Sequence, residues 1–116
     1  MKLPNIFEKG STPLIAQPGD VIFSAGDPAE LMYVIKRGEI EIEKNGRVVE
    51  TLGEDGFFGE LAIVDGSPRS ATARAKTESE LVPITEKQFL FMVAETPFFS
   101  LVVLRKLAER LRRGDS

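Results

Sequence analysis

The sequence predicts a mainly β domain, a sandwich or jelly roll, followed by helices at its C-terminal end. Three observations predict it. Short apolar stretches recur between Pro13 and Ile84, divided by glycine and proline turns, at the roughly eight- to twelve-residue spacing of β-sandwiches and barrels. Asn45-Gly46 stands between two alternating runs, the strongest short-range signal for a β-hairpin. After Ile84 the pattern becomes helical, with a capping box at Thr85-x-x-Gln88.

Taken in order, the first ten residues have little regular pattern, and Ile6 and Phe7 are expected to tuck against the core as one helical turn. Pro18-Gly19-Asp20 is a turn before the strand Val21-Ile22-Phe23, and Ala25-Gly26-Asp27-Pro28 is a second turn. Leu31 to Ile35 is an apolar strand closed by Arg37-Gly38. Ile40, Ile42 and Val48 alternate with charges on either side of Asn45-Gly46, which predicts a type I′ hairpin. Gly53 to Gly56 is a further turn. Ala71, Ala73 and Ala75 share one face of a strand at period two; they either leave room for a ligand or simply pack tightly. Leu81 to Ile84 is the last strand. The first C-terminal helix is expected over about 86–94. The second is expected over about 97–113, with Thr96 as N-cap, Pro97 at N1 and Gly114 at C′.

A length of 116 residues suits one domain over 1–116. No linker or repeat divides it, and 42% hydrophobic with 28% charged residues is globular composition. No apolar run approaches the ~20 residues of a membrane span, and no signal peptide is visible, so a cytoplasmic location is expected. Cysteine and histidine are both absent. That removes disulfides, an imidazole base, zinc sites and most haem or iron–sulfur chemistry, so no cofactor, metal or catalytic residue is expected. A net charge of −3 gives no general attraction to nucleic acid, and no nucleic-acid partner is expected.

The most informative run is Phe58-Gly59-Glu60-Leu61-Ala62, then Ile63 to Pro68, then Arg69-Ser70-Ala71. An arginine can neutralise a phosphate by charge-assisted hydrogen bonds. Backbone N–H groups opening a turn near Gly59 can add a positive nest. An ionised glutamate is acceptor-only and can take a hydroxyl proton. A cyclic nucleotide, with one phosphate charge and one free ribose 2′-hydroxyl, asks for this combination. The alternative is an ordinary loop between two strands.

The run resembles the phosphate-binding cassette of cyclic-nucleotide-binding domains, the family of catabolite activators and protein kinase A regulatory subunits. Pro18-Gly19-Asp20-x-Ile22, Gly26-Asp27, Leu31 to Gly38 and Gly56-x-x-Gly59 look like the same family. The resemblance implies an eight-stranded β-roll (a double-stranded β-helix) over about 13–84, closed by the two helices. It also implies a ligand site at Phe58, Gly59, Glu60, Leu61, Ala62, Arg69, Ser70 and Ala71. The ligand is cAMP or cGMP, with cAMP favoured, because the Ser70 hydroxyl suits a phosphate in either case. Members regulate an attached effector, and no DNA-reading module is visible after the second helix, so a stand-alone or excised domain is expected.

Leu101, Leu104, Ala108 and Leu111 follow heptad-like spacing. This stripe packs on the roll, forms a homodimer seam, or contributes a lid over the purine from Leu104, Leu107 and Leu111. An unidentified effector protein is the other expected partner. Arg105, Lys106, Arg110, Arg112 and Arg113 are expected on a solvated face. Two rival functions remain: a ligand-free interaction module with the same fold, and a cupin-type enzyme. The latter would need carboxylate ligands such as Glu39, Glu41 and Glu43, which alternate with Ile40 and Ile42 and so are expected to face solvent.

Overall fold

The structure, a computed structural model, describes residues 12–113. The helical turn expected at Ile6 and Phe7 and the C′ glycine at Gly114 lie outside the described residues. Eight strands are described: β1 (Leu14–Ala16), β2 (Val21–Phe23), β3 (Met32–Arg37), β4 (Ile40–Lys44), β5 (Arg47–Leu52), β6 (Phe57–Phe58), β7 (Thr72–Ala75) and β8 (Ser79–Ile84). They form two antiparallel four-stranded sheets, ordered β1-β8-β3-β6 and β2-β7-β4-β5. Three helices are described: α1 (Leu61–Val64) between β6 and β7, then α2 (Glu86–Glu95) and α3 (Phe98–Arg113). This is the expected β-roll with C-terminal helices.

The core has two parts because the first sheet is covered on both faces. Ala16, Ile35, Ile40, Leu52, Phe58, Ala73, Ala75 and Leu81 fill the inside of the roll. Met32, Val34, Phe57, Val82 and Ile84 face outward, against Met92, Phe99 and Val103 of the helices. Strands buried on both faces carry near-continuous apolar runs, which is why 31–35 and 81–84 read as such in the sequence.

The local signals act as expected. Asn45 and Gly46 both take positive φ, 53° and 76°, the geometry of a type I′ turn. Thr85 and Gln88 cap each other: the Gln88 N–H donates to Thr85 Oγ1 at 3.2 Å and the Thr85 N–H donates to Gln88 Oε1 at 2.8 Å. The helix after it ends at Glu95, one residue beyond the expected boundary. α3 starts at Phe98, one residue later than expected; the Thr96 carbonyl accepts from the Phe99 N–H at 2.9 Å, so Pro97 opens the turn without an unused donor. The two helices meet at 117° across this break. No single helix among the described residues is long and apolar enough to cross a membrane.

One difference bears on function. The β4–β5 ladder pairs Ile42 with Glu50 but Glu43 with Val48, so Val49 is an extra residue on β5. The bulge changes which side chains face inward. Val48, expected on the apolar face, is 50% exposed, and Glu50 shares the inner face with Ile42. Glu43, expected in solvent, is half-buried and paired with Arg74 at 3.1 Å.

Gly38, with φ at +95°, ends β3 against β8. A Cβ there would lie 2.2 Å from Ser79 Oγ and 2.6 Å from the Glu78 carbonyl oxygen. Gly38→Ala should therefore lower unfolding free energy in urea by roughly 2 kcal/mol or more, from overpacking added to strain. Gly53→Ala, where a Cβ meets nothing within 4 Å, should change it by less than about 1 kcal/mol.

Candidate functional site

The cassette is a one-turn device. Gly59 takes φ +78°, and the chain then turns through Glu60 into α1, where the Ile63 N–H donates to the Glu60 carbonyl at 3.0 Å. Gly66, at φ +69°, closes the turn by donating to the Leu61 carbonyl at 3.1 Å. The far end is tied to the Gly26-Asp27 turn: the Arg69 N–H donates to the Asp27 carbonyl at 2.9 Å, and the Gly26 N–H to the Arg69 carbonyl at 2.8 Å. Two glycine-dependent turns thus hold both ends of the run.

The run lines one wall of a cavity of about 650 Å³, counting its open mouth. Ile42, Val49 and Glu50 of the hairpin form another part of the lining, and Leu107 and Arg110 of α3 a third.

Arg69 is buried at 9% exposure. Its Nη1 donates to the Gly59 carbonyl at 3.2 Å and its Nη2 to the Leu31 carbonyl at 2.7 Å. Its guanidinium lies 3.9 Å over the Phe23 ring, which packs with Tyr33 and Phe58. Nε is buried and has no hydrogen-bond partner. No carboxylate pairs with this guanidinium among the described residues. Burial pushes its pKa down, against the charges of Tyr33 and Asp27, which raise it; a guanidinium stays charged regardless. The side chain is a positioned, largely buried cation whose direct contacts are neutral groups, with the Asp27 charge acting on it without a hydrogen bond. The room for it depends on Gly59, where a Cβ would lie 2.8 Å from Arg69 Nη1.

Glu60 is more deeply buried, at 1% exposure. Its Oε1 accepts from Arg110 Nη1 of α3. Arg110 also reaches Glu50, its Nε donating to Oε1 at 3.1 Å. Glu50 gathers two more cations, Lys106 and, at 3.5 Å, Arg113. Burial raises the Glu50 carboxyl, but the hydrogen bond from Lys106 and the charges of Arg110, Lys106 and Arg113 outweigh it and hold it below the ordinary 4.5.

Of the residues chosen from sequence, Phe58, Gly59, Glu60, Leu61, Ala62, Arg69, Ser70 and Ala71 all line this cavity. Ala71 is at the cavity, whereas Ala73 and Ala75 are core, so the alanine face serves both room and packing. Of the three leucines expected as a lid, only Leu107 lines the cavity. Leu104 and Leu111 are 60% and 67% exposed on the flank of the helix. The core-facing line of α3 runs Phe99, Val103, Leu107, Arg110, and Leu104 and Leu111, each one residue on from that line, are turned about 100° aside. The basic residues of α3 are not one solvated face, since Lys106, Arg110 and Arg113 turn to Glu50 and Glu60. Sequence reasoning missed Arg110 and Glu50 as site residues. The helical spacing of 106, 110 and 113 was a readable signal for one stripe; the inward turn of Glu50 was not, because it comes from the bulge.

Residues 14–96 match the family described as cyclic nucleotide-binding domain. The chain belongs to that family. It is 34% identical over 103 residues to a "CRP-like cAMP-activated global transcriptional regulator" of Mycobacterium tuberculosis, covering 84% of this chain and 46% of that protein. The chain therefore spans under half the length of that relative. The crystal structure of the Thermus thermophilus catabolite activator protein superimposes with a TM-score of 0.81 at 26% identity, over 96% of this chain and 55% of that one. The cGMP-bound form of the EAL enzyme Bd1971 gives 0.68 at 33%, over 89% and 29%.

The ion-pair cluster carries a pH signature. A carboxyl whose folded pKa is depressed adds stability above its unfolded value and loses it as pH falls through the folded value. The Glu50 contribution should be complete at neutral pH and decline once pH drops below 4.5. Thermal melts of wild type and Glu50→Gln should thus differ by a constant gap near pH 7 that narrows below that value. A gap that persists undiminished to about pH 3 would count against the cluster.

Proposed function

We propose that the cavity binds a 3′,5′-cyclic nucleotide, cAMP in preference to cGMP, and that the chain is a regulatory binding domain rather than an enzyme. The observation that carries this is Arg69: a buried guanidinium held by two carbonyls and a ring face, with an unpartnered Nε and no carboxylate. An uncompensated buried cation is costly, and a phosphate anion would compensate it with charge-assisted hydrogen bonds. The Glu60 carboxylate is the acceptor for the ribose 2′-hydroxyl, with Arg110 holding its Oε1 in place. The purine lies toward Leu107 and the hairpin wall at Ile42 and Val49. The preference for cAMP is supported by the relative whose name says it is cAMP-activated.

Regulation follows from the same contacts. A ligand shifts a conformational balance only by binding one state more tightly. A ribose on Glu60 binds most tightly when Arg110 is in place, so ligand favours the docked position of α3. The exposed stripe Leu101, Leu104 and Leu111 then presents that position to a second copy of the chain or to an effector. That stripe also favours the second reading, an interaction module that binds no nucleotide.

Calorimetric titration with both nucleotides separates them. Removing one member of a desolvated charge pair costs about 2–5 kcal/mol. Arg69→Ala should therefore weaken binding by at least ~30-fold, and Arg69→Lys should recover only part, because an ammonium cannot make the bidentate contact. Unchanged affinity in a folded Arg69→Ala protein would remove the site. Separately, wild type should prefer cAMP to 2′-deoxy-cAMP by about ten- to a hundredfold, and Glu60→Gln should lose most of that preference. Equal binding of the two ligands by wild type would exclude Glu60 from ribose recognition.

A further inference from the structure

The two halves of α3 are held to the roll by different forces. Phe99 and Val103 are buried with Met32, Val34, Phe57, Ile84 and Met92. Beyond Val103 no side chain of the helix is buried among the described residues; Leu107 is partly covered. The rest of the attachment is ionic. Lys106, Arg110 and Arg113 follow i, i+4, i+7 spacing, one stripe of a helix, and all three converge on Glu50. Glu50 is itself only 9% exposed, because the bulge at Val49 puts it on the inner face of β5 opposite Ile42.

Without that carboxylate, Lys106, Arg110 and Arg113 would share one stripe with Glu60 still on Arg110 and the exposed Glu109 on Arg113. Their mutual repulsion would push the end of the helix outward, and Arg110 would leave its place on Glu60. The apolar half would stay docked, since burial at Phe99 and Val103 does not depend on charge.

We propose that Glu50 is a positioning residue of the nucleotide site. By anchoring Lys106, Arg110 and Arg113 at the cavity rim, it sets the Arg110 guanidinium on Glu60 and thereby how well Glu60 reads the ribose hydroxyl. The inference rests on the nucleotide reading above. It assigns Glu50 no contact with the ligand; the residue acts through Arg110.

The test has two arms, both on the full chain. Hydrogen exchange without ligand compares wild type with Glu50→Gln. Exchange should quicken by about tenfold or more over residues 104–113 and stay unchanged over 98–103. Titration with cAMP and 2′-deoxy-cAMP forms the second arm. Glu50→Gln should reduce the ribo-over-deoxy preference by about fivefold or more, with affinity for the deoxy ligand kept within about twofold. An equal fall in affinity for both ligands would mark Glu50 as merely structural and overturn the proposal, as would a preference indifferent to Glu50. The Arg69→Ala control separates the two levels. Wild-type binding that ignores Arg69 overturns the nucleotide assignment and this inference together. Arg69-dependent binding with a Glu50-independent preference overturns the inference alone.

Discussion

A glutamate almost wholly shut off from water, Glu60, sets the terms for the cavity around it. An isolated carboxylate is tolerated in such a place only if a cation or hydrogen-bond donors compensate it. The cassette backbone does not supply that compensation. It comes from Arg110, fifty residues further along the chain and on a different element. The last helix is therefore part of the site's electrostatics, not a separate appendage. Any displacement of α3 leaves a buried carboxylate unpaired, and any group that binds Glu60 feels where α3 is.

Arg69 poses the opposite problem on the same cavity. Its charge is met by carbonyl dipoles and an aromatic face, with one N–H left over. Neutral partners hold the geometry without cancelling the charge. The cavity lining thus carries an ion-paired carboxylate and a guanidinium with an unused N–H, together with the apolar side chains of Ile42, Val49 and Leu107. A ligand with one anionic group, one hydroxyl and one flat apolar body matches that distribution. The match extends the family membership from a shared fold to a chemically reasoned site.

Much of this was legible because the cassette is contiguous. Gly59, Glu60, Arg69, Ser70 and Ala71 lie within thirteen residues, and each type has a local reason to be there. Gly59 takes a positive φ beside the arginine, Gly66 closes the turn, and Ala71 leaves space. The leucine lid was only partly legible. Heptad-like spacing picks out Leu104 and Leu111, but the line that meets the roll passes through Phe99, Val103 and Leu107. Spacing along a helix tells which residues share a face, not which face a neighbouring sheet will cover.

The short strands of a sandwich or jelly roll, the hairpin at Asn45-Gly46, the capping box at Thr85 and the cassette run were legible from local sequence, and the family resemblance implied the β-roll. Each depends on neighbouring residues and on backbone preferences that act over a few positions. Only the tertiary structure decided the partners of the buried charges. One extra residue at Val49 sets Glu50 opposite Ile42, on the inner face. The angle between α2 and α3 then brought Lys106, Arg110 and Arg113 down onto it. Charges in a chain carry no label for their distant partners, because electrostatic pairing is set by proximity in space, and that proximity exists only after the roll and helices have packed.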